Sequence, residues 1–159
     1  DGVGMESLMD QFLALDAAGR RVVHLRLCQF ALRRWRAHVD LAAPIRYIET
    51  VVGTEQLVDT RLPDDALACA QAGSDTRRVA VRYGEPIAAL QDDDLEFPDP
   101  VEYAYYAVYN LFRKYALGHT IDDWLIVNQA LSSSERPLEW EIQLGVAIRD
   151  ALAGGPAPA

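Results

Sequence analysis

The sequence predicts an all-α fold, a single compact bundle of six or seven helices, and three observations carry that expectation. Apolar residues recur at intervals of three and four along nearly the whole chain, the spacing that builds one buried stripe on a helix. Pro44, Pro100 and Pro137 open such runs, and Gly53, Gly73 and Gly118 close them. The one stretch that alternates like a strand, Val79, Val81 and Tyr83, has no second convincing strand to pair with. Because an isolated hairpin is marginal, residues 77–90 are read as helical or as a short irregular or β-like segment.

Leu8, Met9, Phe12, Leu13 and Leu15 predict a short first helix, interrupted at Asp16-Ala17-Ala18-Gly19. Arg20 to Val39 reads as a longer second helix with Leu25, Cys28, Leu32, Trp35 and Val39 as its stripe and Arg26, Arg33 and Arg36 on other faces. Pro44 suits the first turn of a third helix carrying Ile45, Tyr47, Ile48, Val51 and Val52, ended by Gly53. A short helix from Thr54 to about Thr60 follows, then another from Pro63 to Ala72, stopped by Gly73. Asp99-Pro100-Val101-Glu102 combines an N-cap acid, a proline at the first helical position and a glutamate three residues on. The helix behind it buries Val101, Ala104, Tyr105, Val108, Phe112 and Tyr115, and Gly118 closes it. Thr120-Ile121-Asp122-Asp123 repeats the capping logic and opens a helix through Trp124, Leu125, Val127, Asn128 and Leu131. After the Ser132-Ser133-Ser134 loop, Pro137 restarts a helix whose buried face is Trp140, Leu144, Ile148 and Leu152. One domain is expected over residues 5–153, with Met5 as the natural start after residues 1–4 and residues 154–159 as a frayed tail.

The 159 residues, half hydrophobic and a quarter charged, have the composition of a globular domain with a real core. No apolar run reaches the roughly 20 residues that cross a bilayer, and no secretory signal is visible. Cys28 and Cys69 are too few for a disulfide framework and read as buried thiols, so a cytoplasmic location is expected. The net charge of −9 argues against nucleic-acid and anionic-membrane partners. Its distribution is uneven. Residues 92–159 carry three arginines and one lysine against twelve acids, a balance of −8, and a basic protein is the natural counterpart.

That third opens on the segment Gln91 to Tyr115, where an acidic cluster runs into a tyrosine-rich helix. Asp92, Asp93, Asp94 and Glu96 crowd like charges together, which suggests either a contact for a basic partner or oxygen ligands for Mg²⁺ or Ca²⁺. In the metal alternative, Asp92 and Asp94 join Asp122 and Asp123, although no EF-hand spacing is present. Tyr103 and Tyr106, with Glu102 and Asn110, face outward on the helix, and exposed aromatics are enriched at interfaces. Tyr105, Tyr109 and Tyr115 lie on or near its buried stripe. His24 and Cys28, spaced i, i+4, have the spacing of two zinc ligands, but no second pair exists and a core role is the better reading. Asn128 and Gln129 with Trp124 suggest a polar pocket or ordinary helix-packing amides.

The chain lacks a dinucleotide fingerprint, a phosphate-binding Gly-Lys-Ser/Thr loop, His-Glu-x-x-His, Gly-x-Ser-x-Gly and the Glu-x-x-His pairs of di-iron bundles. These absences leave little support for an enzyme, and no cofactor is expected.

Four blocks are dense in specific polar and aromatic residues: Tyr47-Ile48-Glu49-Thr50-Val51-Val52-Gly53, Gln91-Asp92-Asp93-Asp94-Leu95, Ala104-Tyr105-Tyr106-Ala107, and Asp122-Asp123-Trp124-Leu125-Ile126-Val127-Asn128-Gln129-Ala130-Leu131. With the size, acidity and helical pattern they give a chain that resembles bacterial immunity proteins, which neutralise toxins delivered between competing cells. Fourteen arginines to one lysine fit a GC-rich bacterial genome. The resemblance implies a cytoplasmic inhibitor that docks an acidic, tyrosine-bearing surface, here Asp92, Asp93, Asp94, Glu96, Tyr103 and Tyr106, over the basic cleft of a toxin domain. A metal-dependent hydrolase and an adaptor subunit recognised through an apolar helix face are the alternatives.

Overall fold

A computed structural model describes residues 4–49, 54–73 and 97–154. The described residues form six helices: α1 (Met5–Leu13), α2 (Ala17–His38), α3 (Leu62–Ala72), α4 (Asp99–Tyr115), α5 (Asp123–Leu131) and α6 (Pro137–Leu152). Between α2 and α3 lies one antiparallel hairpin of β1 (Ile45–Glu49) and β2 (Thr54–Val58), in register from Ile45 opposite Val58 to Glu49 opposite Thr54. The β-like reading of residues 77–90 lies outside the described residues.

The hairpin corrects the sequence reading, which placed two helices over residues 44–60. Ile45, Tyr47 and Glu49 alternate at the strand period, and β-branched and aromatic residues favour a pleated surface. The hairpin is also not isolated. Ile45 packs against the core, and the buried Thr60 hydroxyl lies 3.1 Å from the Asp40 carbonyl and 3.0 Å from that of Ala43, joining the two ends of the excursion. Tertiary anchoring supplies what two strands alone lack.

α2 is the centre of the bundle and packs against α3, α4, α5 and α6. Its predicted stripe is buried at Leu25, Cys28, Leu32 and Trp35, and the burial widens to Val22, Val23, His24, Leu27 and Ala31 because partners surround it. Arginine permits this arrangement, since its long stem lets the charge leave a crowded helix. Arg21 donates to the Ala70 and Gln71 carbonyls at the end of α3, at 3.3 and 2.8 Å. Arg34 donates to the Ser133 carbonyl just beyond α5, at 3.0 Å. Arg21 satisfies carbonyls that the end of α3 leaves open and Arg34 fixes the loop that follows α5, so the central helix ties down two of its neighbours.

α2 begins a turn earlier than expected, because Asp16 is its N-cap and accepts from Gly19 N–H at 2.7 Å. Asp16→Ala is expected to lose about 1 kcal/mol of stability in urea titration, whereas Asp16→Asn, which keeps the acceptor, retains most of it.

α4 also begins differently. Pro98 occupies the cap position in extended geometry, and its carbonyl accepts from Val101 and Glu102 N–H at 2.9 and 3.1 Å. Asp99 is therefore the first helical residue and not the cap. α6 departs at its far end: Leu144 and Ile148 are buried as expected, but Leu152 is 69 % exposed. A stripe drawn at intervals of four drifts around a helix of 3.6 residues per turn, and by Leu152 it has left the core.

Candidate functional site

Two places among the described residues bring polar and aromatic side chains together. The first is the outward face of α4. Its inner face buries Val101, Ala104, Tyr105, Val108 and Phe112, which fixes where the remaining residues point. Tyr103 projects outward at 42 % exposure, and the exposed Asp99 and half-buried Glu102 lie in the preceding turn. Carboxylates in a first turn are stabilised by the positive end of the helix dipole, so this end tolerates a local negative field.

Tyr106 is less available than the sequence reading has it. It is half-buried, packs against the core and meets the Tyr105 ring edge-on at 6.4 Å. Asn110 is a clearer correction: it is buried and donates from Nδ2 to Gln129 Oε1 at 2.8 Å. α5 covers this part of α4, so periodicity on one helix overstated how much of its face is open. Gln129 thus serves helix packing, while Asn128 is exposed. Asp92, Asp93, Asp94 and Glu96 lie outside the described residues.

The second place is a polar cluster inside the bundle, where α2, α4 and α5 meet. His24 is fully buried. Its Nε2 lies 2.8 Å from the Asp123 backbone carbonyl, which can only accept, so Nε2 carries the proton. Nδ1 is then the acceptor for the Tyr115 hydroxyl at 2.7 Å. Burial lowers the imidazole to about 4, aided by the positive charges of Lys114 and Arg20 and opposed by the Asp123 hydrogen bond and charge. The ring is neutral at pH 7. Burial pushes the Tyr115 phenol well above its ordinary value, with the Asp123 charge adding to it.

Asp123 holds this cluster to its cations. Its carboxylate lies 2.9 Å from Arg20 and 3.0 Å from Lys114. Burial pushes the carboxyl up, but the bonds from Arg20 and Lys114 outweigh it and leave Asp123 below the usual range. Phe12 and Trp124 pack around the group, with Phe12 5.5 Å from the His24 ring and 5.9 Å from that of Trp124. Both ring nitrogens of the buried histidine are hydrogen-bonded, so the arrangement locks three helices together.

Of the four aspartates of the metal alternative, Asp92 and Asp94 lie outside the described residues, and the other two have partners of their own. Asp122 caps α5, accepting from Leu125 N–H at 3.0 Å, and Asp123 is committed to Arg20 and Lys114. Among the described residues no group of three or more His, Cys, Asp or Glu side chains is arranged to hold a metal ion. His24 and Cys28 take the core role: the Cys28 thiol is buried, raised far above its ordinary value by burial, and lies 3.6 Å from the Ala107 carbonyl.

The sequence reading missed the His24–Tyr115–Asp123 cluster as a unit. Its signals were Arg20 and His24 on one helical face, and a second acid at Asp122-Asp123 where capping needs only one. Among the described residues no helix is long and apolar enough to cross a membrane. Comparison of the chain with protein families, curated proteins and solved structures gives no match.

Proposed function

We propose that this chain is a binding protein of the immunity type, which occludes the basic cleft of a toxin domain by stoichiometric docking. The observation that carries the reading is Tyr103. It is the one aromatic among the exposed large hydrophobic side chains of the described residues, and it stands on α4 close behind the acidic segment that opens the −8 third of the chain. An amphipathic ring beside a concentrated negative field supplies the two ingredients of such docking. Charge steers the encounter and sets its salt dependence, while a packed aromatic anchor slows release.

Asp92, Asp93, Asp94 and Glu96 provide the steering field in this proposal, Tyr103 the anchor, and Tyr106 the support beneath it. The partner is a small cationic toxin domain, the inhibitor acts in the cytoplasm, and the inhibition needs no cofactor.

The test uses a basic toxin domain encoded beside this chain. Stopped-flow association with the Asp92→Asn/Asp93→Asn/Asp94→Asn variant should be about tenfold slower at low salt and should respond less to added salt. Tyr103→Ala should leave association nearly unchanged and raise the dissociation rate about tenfold. Unaltered association of the triple variant at low salt would remove the steering role, and binding insensitive to all four substitutions would remove the surface.

A further inference from the structure

The face of α6 turned away from the core is apolar, and we propose that two copies of this chain pair through it, antiparallel, about a two-fold axis crossing the helix near residues 143–144. Seven large hydrophobic side chains lie exposed among the described residues, and four of them, Leu138, Ile142, Val146 and Leu152, belong to this one helix. Leu138 is 76 % exposed and Ile142 61 %. Single exposed apolar residues are ordinary, but a row at i, i+4 and i+8 is a contact stripe without its partner. The core face of α6 is already supplied by Leu144, Ala147 and Ile148, so the bundle does not need the outer row.

Two features select a second copy as the occupant. Gly145 sits inside α6, where glycine weakens a helix relative to alanine, yet an added Cβ would meet nothing nearer than Leu8 Cδ2 at 4.0 Å. The chain's own packing does not require glycine there. The notch it leaves lies one turn beyond Ile142, so the two-fold seats Ile142 of each copy over Gly145 of the other and fills both notches at once.

Charge gives the direction. The N-terminal end of α6 carries Glu135, Glu139 and Glu141 against Arg136, while near its C-terminal end Arg149 and Arg26 stand against Asp150. Antiparallel pairing brings Arg149 of one copy toward those glutamates of the other, and its stem lies along Leu138. A parallel pair would set glutamate on glutamate. Neither Glu141 nor Arg149 has an ion-pair partner among the described residues.

A groove of about 210 Å³ between α2 and α6 borders the strip on one side, and Arg26, Gln29, Arg33, Gln143 and Asp150 make it a polar margin. A contact built on one helix face belongs to the small end of specific interfaces, under about 1,200 Å² in total, so the pair forms reversibly at micromolar concentrations. This pairing does not rest on the α4 docking surface.

Sedimentation velocity on the full chain from about 1 to 300 µM tests it. The expected result is a monomer–dimer equilibrium within that range, weakened at least tenfold by Ile142→Glu, since the dimer would bury the new charge. Gly145→Ala separates pairing from folding: at low concentration it should melt higher than the parent, yet it should dimerise more weakly because its methyl fills the notch. A parent chain that stays monomeric throughout overturns the proposal, as does a dimer indifferent to Ile142→Glu. Undiminished dimerisation of Gly145→Ala would overturn the seating of Ile142 over the notch.

Discussion

Trp35→Ala is expected to destabilise the domain by about 4 kcal/mol, with the urea midpoint falling in proportion and the slope of the transition unchanged. Trp35 is fully buried and joins three segments far apart in sequence. Its indole N–H donates to the Thr60 carbonyl at 2.9 Å, where the hairpin returns to the bundle. Phe97, just ahead of α4, meets its ring edge-on at 5.3 Å, and Tyr105 on α4 lies at 5.4 Å. Truncation to a methyl group removes the largest single volume from the core and leaves the Thr60 carbonyl without its donor. Small domains are stable by roughly 5–15 kcal/mol, so the loss is a large fraction of the total. Trp35→Phe divides the effect, because it keeps most of the ring packing and deletes the hydrogen bond; about 1–3 kcal/mol is expected for it. Fluorescence of Trp124 and Trp140 still reports unfolding in both variants. A loss below about 1 kcal/mol for Trp35→Ala would show that the ring does not hold these segments together.

The same residue shows what the sequence made legible. Trp35 fell on a stripe with Leu25, Cys28 and Leu32, and all four are buried because a helix turns by a fixed angle per residue. Caps were readable in part: Gly73 ends α3 at a φ of 78° and Asp122 opens α5, whereas Asp99 lies inside α4 and Asp16, expected to interrupt a helix, caps α2. Residues 44–60 were not readable in that way. Ile45, Tyr47, Ile48, Val51 and Val52 satisfy a helical stripe as well as a strand, and the choice is made by pairing between strands and by Thr60 reaching Asp40 and Ala43. Non-local hydrogen bonds leave no mark in a local window.

For the candidate site the same division holds. An exposed Tyr103 follows from its place opposite the buried face of α4. The burial of Asn110 does not follow, because Gln129 arrives from another helix. Nor does the exposure of Leu138 and Ile142, whose apolar character alone would assign them to a core. One helix announces its own periodicity, but which of its faces find partners is decided by the packing of the others.

Between pH 6.5 and 4 the domain is expected to lose about 3 kcal/mol of stability through His24 alone. In the unfolded chain the imidazole titrates at the ordinary 6.5, whereas in the fold burial lowers it to about 4. Below pH 6.5 the unfolded state therefore binds the proton that the folded state refuses, and stability falls with pH until the buried ring is itself protonated near 4. Each pH unit within that window is worth about 1.4 kcal/mol. The groups facing the ring explain why it resists. Arg20 and Lys114 repel a second positive charge, and protonation at Nδ1 would deprive the Tyr115 hydroxyl of its acceptor. The Asp123 carboxylate acts in the other direction but is already shared between Arg20 and Lys114. Because its own carboxyl is held below the ordinary 3.8, the Asp123 contribution is lost only at lower pH, beneath the histidine window. His24→Gln isolates the effect: the variant is less stable at pH 7, having lost the fitted ring, but it has no proton to take up between 6.5 and 4. Urea titrations of both proteins across that range should therefore converge as the pH falls, by about 3 kcal/mol. Parallel curves would mean that His24 titrates alike in the folded and unfolded chains, and the closed polar cluster between α2, α4 and α5 would then be wrong.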